Sequence, residues 1–258
     1  MRQAVLVRVG IDLSKKSGEW VAPIDPGTGK FAYVPILEDE GKKNGIKTKP
    51  IRDGEGCRIT YEQFRKPCEN VGGTLKPELL REGIYAHLDP DFEYITYGDE
   101  GNKAKRLRNL KLSDGDLLVF YSALRPINDN RPGHLCYAII GFYELLKEGK
   151  DAIVIPREQW KINAHSRREP KKDDDIVFFG KKGNSGRLSK CIDIGEYHPD
   201  KGTYWTKKAL CPKWGEPDPI FLLRGYLPIL KDPERFYDWF REERSEHGIQ
   251  LCKRNNLD

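Results

Sequence analysis

Two long apolar runs constrain the fold of this chain more than any other feature. They are DGDLLVFYSAL at 114–124 and HLCYAIIGFYELL at 134–146. Both are rich in Val, Ile, Phe and Tyr, which favour strands, and Asp114–Gly115 forms a turn before the first. The polar stretch between them is long for a hairpin loop, so it is a candidate functional loop. We therefore expect a sheet built around these two strands.

Other strands are indicated on both sides of this pair. We predict them at AVLVRVG (4–10), FAYVPIL (31–37), IVFFG (176–180) and RLSKCIDI (187–194). The first is a continuous apolar run, as expected of a strand buried on both faces. The second follows a stretch rich in Pro and Gly, which form turns.

Two helices are marked by their first residues. Thr60 followed by Gln63 has the spacing of a capping box, and Asp232–Pro233 places a proline at the first helical position. The second helix carries an aromatic stripe typical of a core face: Phe236, Trp239 and Phe240. The fold class predicted is α+β (mixed α/β), with a twisted, mainly antiparallel sheet and peripheral helices. A sheet curled into a barrel is one form of this fold.

The composition favours one folded unit. The chain has 258 residues, of which 38% are apolar, and these are enough to build a core although 33% are charged. We expect a single domain over 1–258, with a C-terminal extension that contains a helix at about 232–247. No run is long and apolar enough to span a bilayer and MRQAVLVRVGID is not a signal peptide, so we expect a cytoplasmic protein without a membrane partner. The six cysteines form no CxxC pair, which argues against a zinc ribbon.

The basic residues are concentrated in two segments. Segment 102–111 has five basic residues and no acidic one, and segment 201–213 has four, together with Tyr204 and Trp205. Basic side chains interleaved with aromatic ones suit a nucleic-acid backbone and its bases. The candidate nucleic-acid-binding residues are Lys103, Lys105, Arg106 and Arg108. The alternative is that both segments are solvated loops.

The segment HLDPDFEYITYGD, residues 87–99, concentrates ionisable side chains. In an extended strand, His87, Asp89, Asp91 and Glu93 would share one face. A His and an Asp on one face can hold a metal ion or act as base and orienter in proton transfer. The candidate catalytic residues here are His87, Asp89, Asp91 and Asp99, with Tyr97 as a base contact. A solvated edge strand, a cap, a salt-bridge network and a turn at Pro90 are the alternatives.

Two later motifs carry further candidates. In NAHSRR, the amide of Asn163 can read a base edge, His165 can move a proton, and Arg167 can hold a phosphate. In KKGNSGR, glycines after a strand, with Ser185 and Arg187, are typical of an anion-binding nest. A turn with a satisfied imidazole is the alternative for the first motif.

The sequence leaves the cofactor open. It contains no GxxxxGK[ST] spacing and no GxGxxG after the first strand, so neither a P-loop nor a Rossmann site is indicated. A divalent metal ion remains a candidate. Trp20, in a loop rich in Gly and Pro, can stack on a base or belong to the core.

Several motifs together resemble one known family. In order, they are VLVRVGID, GEWVAPID, FAYVPI, HLDPDFEYITYGD, GDLLVFYSALRP, NAHSRR and GNSGRLSK. Over about residues 4–195 this succession resembles the nucleotide modification associated domain 3 family, which is associated with base-modification systems in prokaryotes. Residues 114–146 also resemble the strand pattern of PUA-like, ASCH-like and EVE-like modules, which grip a modified or flipped base.

The resemblance implies modification of nucleotides or nucleic-acid bases in a pocket of acidic and His residues with basic flanks. It leaves the reaction open. Two other functions remain: a non-catalytic PUA-like reader of modified bases, and a metal-dependent nucleotide hydrolase. We expect 87–99, 163–168 and 183–187 to converge on one concave site.

Overall fold

The computed structural model describes most of the chain, in nine stretches. They are 2–11, 20–38, 41–43, 46–48, 59–129, 131, 134–167, 173–222 and 225–256. The strands are Ala4–Arg8 (β1), Pro23–Ile24 (β2), Ile36–Leu37 (β3), Gly41–Lys43 (β4), Ile46–Thr48 (β5), Ala86–His87 (β6), Thr96–Asp99 (β7), Leu117–Pro126 (β8), Cys136–Glu144 (β9), Lys150–Asp151 (β10), Ile176–Phe179 (β11), Gly186–Asp193 (β12), Gly195–His198 (β13), Thr203–Thr206 (β14) and Leu251–Cys252 (β15). The α-helices are Arg65–Asn70 (α1), Gly101–Asn109 (α2), Ala164–Arg167 (α3), Cys211–Trp214 (α4) and Pro233–Glu246 (α5). Short 3₁₀ turns cover Tyr61–Phe64, Pro77–Leu80, Ala152–Val154, Arg157–Ile162 and Lys208–Leu210.

The central sheet is built on the two long strands that the sequence predicts. Its order is β1-β8-β9-β12-β15, and β2 also pairs with β8. β1 and β2 run parallel to β8, whereas β8–β9, β9–β12 and β12–β15 are antiparallel. The protein is thus a mixed α/β structure. Among the described residues, the strand pairing does not close into a barrel.

The central sheet is buried on both faces. Along β8, Leu118 and Phe120 belong to one hydrophobic cluster and Val119 and Tyr121 to the other. Successive side chains of a strand point to opposite faces, so the two clusters are two core layers with the sheet between them. This double burial explains why β8 is a continuous apolar run.

Helix α5 covers one of these faces. Its first residues behave as the sequence predicts, because the Asp232 side chain accepts a hydrogen bond from the Arg235 backbone at 3.0 Å. Phe236 and Phe240 are fully buried, and the Phe240 ring stacks on Phe142 of β9 with centroids 4.7 Å apart. The aromatic stripe is therefore core. None of the helices in the described part of the chain has the length and apolar character needed to cross a bilayer.

Three local predictions differ from the structure. Residues 31–35 are buried but irregular, and only Ile36–Leu37 of the predicted strand forms a ladder. Thr60 precedes a 3₁₀ turn and makes no side-chain cap hydrogen bond. Segment 102–111 lies mostly in α2, which buries Ala104 and Leu107, and is not a loop.

The C-terminal residues connect two distant parts of the chain. The Asn256 side chain accepts a hydrogen bond from the Tyr33 nitrogen and donates one to the Tyr33 carbonyl, both at 2.8 Å. The Asn255 side chain accepts a hydrogen bond from the Phe92 nitrogen at 2.8 Å and donates one to Asp91 at 3.2 Å. These bonds satisfy backbone groups of the 31–35 stretch that no strand partner reaches.

A smaller three-stranded sheet, of order β10-β11-β7, carries the residues of the candidate site. β7 and β11 are antiparallel, with Asp99 opposite Ile176 and Thr96 opposite Phe179. Helix α3 packs against both strands. This arrangement places the end of the 87–99 segment beside the NAHSRR motif.

Candidate functional site

The 87–99 segment forms a tight turn between two strands and is not one extended strand. Asp91 and Thr96 form a bridge whose backbone hydrogen bonds measure 2.8 and 3.1 Å. One carboxylate oxygen of Asp91 accepts hydrogen bonds from the backbone of Glu93 and Tyr94 and closes the turn, a common use of an Asp side chain. The predicted common face is therefore wrong: Glu93 is exposed at the turn, while Asp89 and Asp91 are buried.

Two buried imidazoles meet at this site. His87 ends β6, and His165 lies in α3. Their Nε2 atoms are 3.2 Å apart and their rings are perpendicular, with centroids at 4.7 Å. The residues are 5% and 3% exposed, so water screens their interaction very little.

A carboxylate lies behind each imidazole. A Glu38 oxygen is 3.0 Å from His87 Nδ1, and an Asp175 oxygen is 3.3 Å from His165 Nδ1. A carboxylate beside Nδ1 favours a proton on that nitrogen, and the lone pair of the neutral ring then lies on Nε2. Both rings are thus oriented with Nε2 toward each other.

Asp89 completes the cluster. Its Oδ1 accepts hydrogen bonds from the Gly98 backbone at 2.8 Å and from the Asn163 side chain at 2.9 Å. These bonds fix the carboxylate, and its Oδ2 lies 3.6 Å from His165 Nε2. Two motifs about 75 residues apart in the sequence thus form one cluster.

Asn163 positions the cluster from within the core. It is fully buried, and its side-chain oxygen accepts a hydrogen bond from the His165 backbone at 2.9 Å. Its amide is occupied by Asp89 and, at 3.3 Å, by the Thr96 hydroxyl. The amide therefore holds His165 and Asp89, whereas the sequence indicates a contact with a base edge.

These groups line a cavity of about 320 Å³, here called the His cavity. Its ionisable lining residues are Arg8, His87, Asp89, Tyr97, Asp99, Glu100, Lys103 and His165. The volume is at the lower end of the range for small-molecule sites. The cavity is thus large enough for one small ligand among ionisable groups.

The opposite wall contains a second polar cluster. The Tyr97 hydroxyl donates a short hydrogen bond to Asp99, and Lys103 Nζ of α2 lies 2.9 Å from the same carboxylate oxygen. Burial and then the Asp99 charge raise the pKa of Tyr97 well above its usual value. Tyr97 therefore remains a neutral hydroxyl at physiological pH.

Asp91 and Arg167 face a different cavity. Burial raises the pKa of Asp91, an effect opposed by the Arg167 guanidinium, whose Nη1 is 3.9 Å from the carboxylate. Both residues line a cavity of about 710 Å³, here called the basic cavity. Its basic lining residues are Lys66, Lys161, Arg167, Lys253 and Arg254. The structure thus separates Asp91 from His87, Asp89, Asp99 and His165.

The KKGNSGR motif is not brought to either cavity. The Ser185 hydroxyl bonds the backbone of Glu144. Arg187 is buried in the central sheet, where it donates to the Phe31 carbonyl at 2.6 Å and stacks on the Phe31 ring. Burial lowers the pKa of Arg187 to about 10. Trp20 packs against the core and lines neither cavity.

The four basic residues of α2 have different environments. Lys103 lines the His cavity, and Arg108 pairs with Asp151 at 2.7 Å. Lys105 and Arg106 are exposed, with the Arg106 guanidinium over the Tyr226 ring. Two of the four are therefore held in ion pairs.

Sequence reasoning missed Glu38 and Asp175, the carboxylates behind the imidazoles. Each adjoins an apolar run: Glu38 follows FAYVPIL, and Asp175 precedes IVFF at the end of an Asp triplet. Acidic residues at strand ends were the signal available. The sequence does not show which of them faces inward.

Comparisons with known proteins give one result. The model of the family described as nucleotide modification associated domain 3 matches residues 3–217. Neither the comparison with curated proteins nor that with solved structures finds a match. The matched range includes both imidazoles and the whole lining of the His cavity except Gly225. The chain therefore belongs to the nucleotide modification associated domain 3 family.

Proposed function

We propose that this protein modifies nucleotide or nucleic-acid bases and that the reaction takes place in the His cavity. Membership of the family suggests a role in nucleotide modification. The observation that carries the proposal is the contact between His87 and His165, with Nε2 atoms 3.2 Å apart beside Asp89. Groups that can exchange a proton, buried in a cleft, are typical of catalytic sites.

The cluster suits acid–base chemistry. An imidazole titrates near neutral pH, and two imidazoles in contact can share or transfer one proton. Asp89 stabilises positive charge on His165, and Asn163 and Gly98 hold that carboxylate in place. In this role His87, Asp89 and His165 act on the substrate, and Asn163 is a positioning residue.

The dimensions of the His cavity favour a single base. A volume of about 320 Å³ can take up one base or a small nucleoside, but not a base pair within a duplex. A base of a polynucleotide would have to leave its stack to enter. Tyr97 and Lys103 can donate hydrogen bonds to base oxygens or ring nitrogens.

The basic cavity supports a polynucleotide as partner. Arg167 and Asp91 each lie two residues along the chain from His165 and Asp89, so the same two segments contribute to both cavities. Five basic residues line the basic cavity, against two acidic ones, and a phosphate backbone requires such a series of positive groups. A base in the His cavity with its phosphates in the basic cavity accounts for both.

A non-catalytic reader of modified bases is the main alternative. A reader needs hydrogen bonds and a stacking surface for its base, but it does not need paired proton-transfer groups. Asp89 and the two imidazoles already bond to each other or to backbone groups, which favours chemistry over recognition.

Mass spectrometry of nucleosides tests the proposal. Cells that carry the wild-type gene should contain a modified nucleoside that is missing from cells with His165→Gln or Asp89→Asn. His247→Gln is the matched control, because His247 is exposed on the surface beyond α5. Identical nucleoside profiles in cells with and without the gene would refute the enzyme and favour the reader.

A further inference from the structure

We infer that His87, Asp89 and His165 bind a single zinc ion. One ligand atom from each residue lies within 4.8 Å of the other two, and all three residues are buried. The inference deepens the proposed function, since it assigns a metal to the same cavity and rests on that function for its purpose.

The distances between ligand atoms fit tetrahedral coordination. Zinc binds imidazole nitrogen at about 2.0–2.1 Å and carboxylate oxygen at about 2.0–2.2 Å. Two nitrogens 3.2 Å apart then subtend about 100° at the ion, and the 3.6 Å from Asp89 Oδ2 to His165 Nε2 gives about 120°. These angles lie on either side of the tetrahedral value of about 109°, whereas octahedral coordination requires about 90°.

The tautomers of the imidazoles point to a cation between them. Glu38 and Asp175 lie beside the two Nδ1 atoms, so the lone pairs of both Nε2 atoms face the same place. At 3.2 Å two such lone pairs repel, and a shared cation removes the repulsion. A histidine that binds a metal almost always gives its other ring N–H to a carboxylate, carbonyl or water. Both histidines have a carboxylate in that position.

A shared proton is the competing explanation for the contact. A proton bridge needs only the two nitrogens, and it leaves Asp89 without a part. Here Asp89 Oδ1 is held by Gly98 and Asn163, so that Oδ2 is directed toward His165. A third, fixed oxygen ligand favours a metal ion over a proton.

The ligand set indicates zinc among the common cations. Mg²⁺ and Ca²⁺ prefer oxygen ligands, whereas imidazole suits zinc and related transition metals. Three protein ligands are the number found in catalytic zinc sites, in which the fourth position is taken by water or substrate. A structural zinc site would instead have four protein ligands.

A second set of groups shares His165. Glu100 and Asp175 also lie within ligand distance of it and of each other. This set contains one imidazole and two carboxylates, so it is less suited to zinc than the set with two imidazoles. The two sets differ in His87 and Glu100, and variants of these residues distinguish them.

Zinc titration of the purified, full-length protein tests the assignment. After removal of metal with a chelator, calorimetry with Zn²⁺ and elemental analysis should give one ion per chain. Glu38→Gln should weaken binding by about 10–100-fold, as loss of a partner behind a ligand does, and His87→Ala by more than about 100-fold. His247→Ala should leave the affinity unchanged.

Four results would overturn the inference. They are no zinc binding by folded wild-type protein, equal affinity in wild type and His87→Ala, loss of affinity in Glu100→Gln with His87→Ala unaffected, and unchanged affinity in Glu38→Gln. Glu38→Gln keeps both imidazoles, so it serves as the test if His87→Ala fails to fold. The titration contains no substrate: bound zinc with unchanged nucleoside profiles would refute the proposed function alone.

Discussion

Replacing Gly98 with Ala is expected to push His165 out of position. A Cβ atom at residue 98 would lie 2.4 Å from His165 Cδ2, 2.9 Å from His165 Cγ and 2.7 Å from Asn163 Oδ1. Ordinary van der Waals contacts of a Cβ are 3.4–4 Å, so the ring must move by about 1 Å. His87 and Asp175 contact the two ring nitrogens and limit where it can move.

The expected cost follows from this crowding. An extra methyl group in a packed core destabilises by about 1–3 kcal/mol. Each neutral hydrogen bond of Asn163 that breaks as the side chain moves adds about 1 kcal/mol. A loss of about 2 kcal/mol lowers the melting temperature of a chain of this size by roughly 4–8 °C. A catalytic group displaced by about 1 Å can cost roughly 100-fold in rate.

Thermal unfolding, together with the nucleoside assay, measures both effects. Gly27→Ala is the matched control: its Cβ would meet only the exposed Asp25 carboxylate, at 3.3 Å, and we expect a change within about 0.5 kcal/mol. If Gly98→Ala melts with the wild type and retains full modification in cells, the close packing of β7 on His165 is refuted.

Three other perturbations have defined outcomes. Arg187→Ala should lower the free energy of unfolding by about 3–5 kcal/mol, since it leaves a cavity and an unpaired carbonyl, and denaturant titration would show it. Burial raises the pKa of Glu144, but hydrogen bonds, chiefly from Lys181, outweigh burial and lower it below 4.5, so the stability that these bonds provide should be lost as pH falls below that value. Lys181→Met should make unfolding less dependent on pH there, and an unchanged pH profile would contradict this. The double variant of Lys161 and Lys253 to Ala should reduce the salt dependence of nucleic-acid binding by roughly 0.7–0.9 per lost phosphate contact, and a slope equal to the wild type's would exclude the basic cavity as the phosphate site.

The parts of the fold that the sequence predicts are those governed by local pattern. β8, β9 and the start of α5 depend on apolar runs and on a cap, and these signals are contained within a few residues. The irregular course of 31–35 could not be predicted in this way. It is stabilised by Asn256, more than 220 residues away in the sequence.

The candidate site shows the same division. The motifs containing His87 and His165 are visible as clusters of reactive side chains, whereas the roles of their partners depend on tertiary contacts. Arg187 is the clearest case: a glycine, a serine and an arginine after a strand suggest an anion-binding loop, yet here the arginine begins a strand and enters the core. Burial of an arginine depends on the aromatic ring and carbonyl that face it, here those of Phe31.

The hydrogen bonds of Asn255 and Asn256 mean that the family-matched range is not a self-sufficient folding unit. The match ends at residue 217, but the turn that presents Asp89 and Asp91 is bonded to Asn255. A chain shortened to residue 247 would keep every ionisable residue of the His cavity and lose this support. Its turn would then open more readily than the rest of the core. Residues that take no part in the chemistry thus determine how rigidly the reactive groups are held.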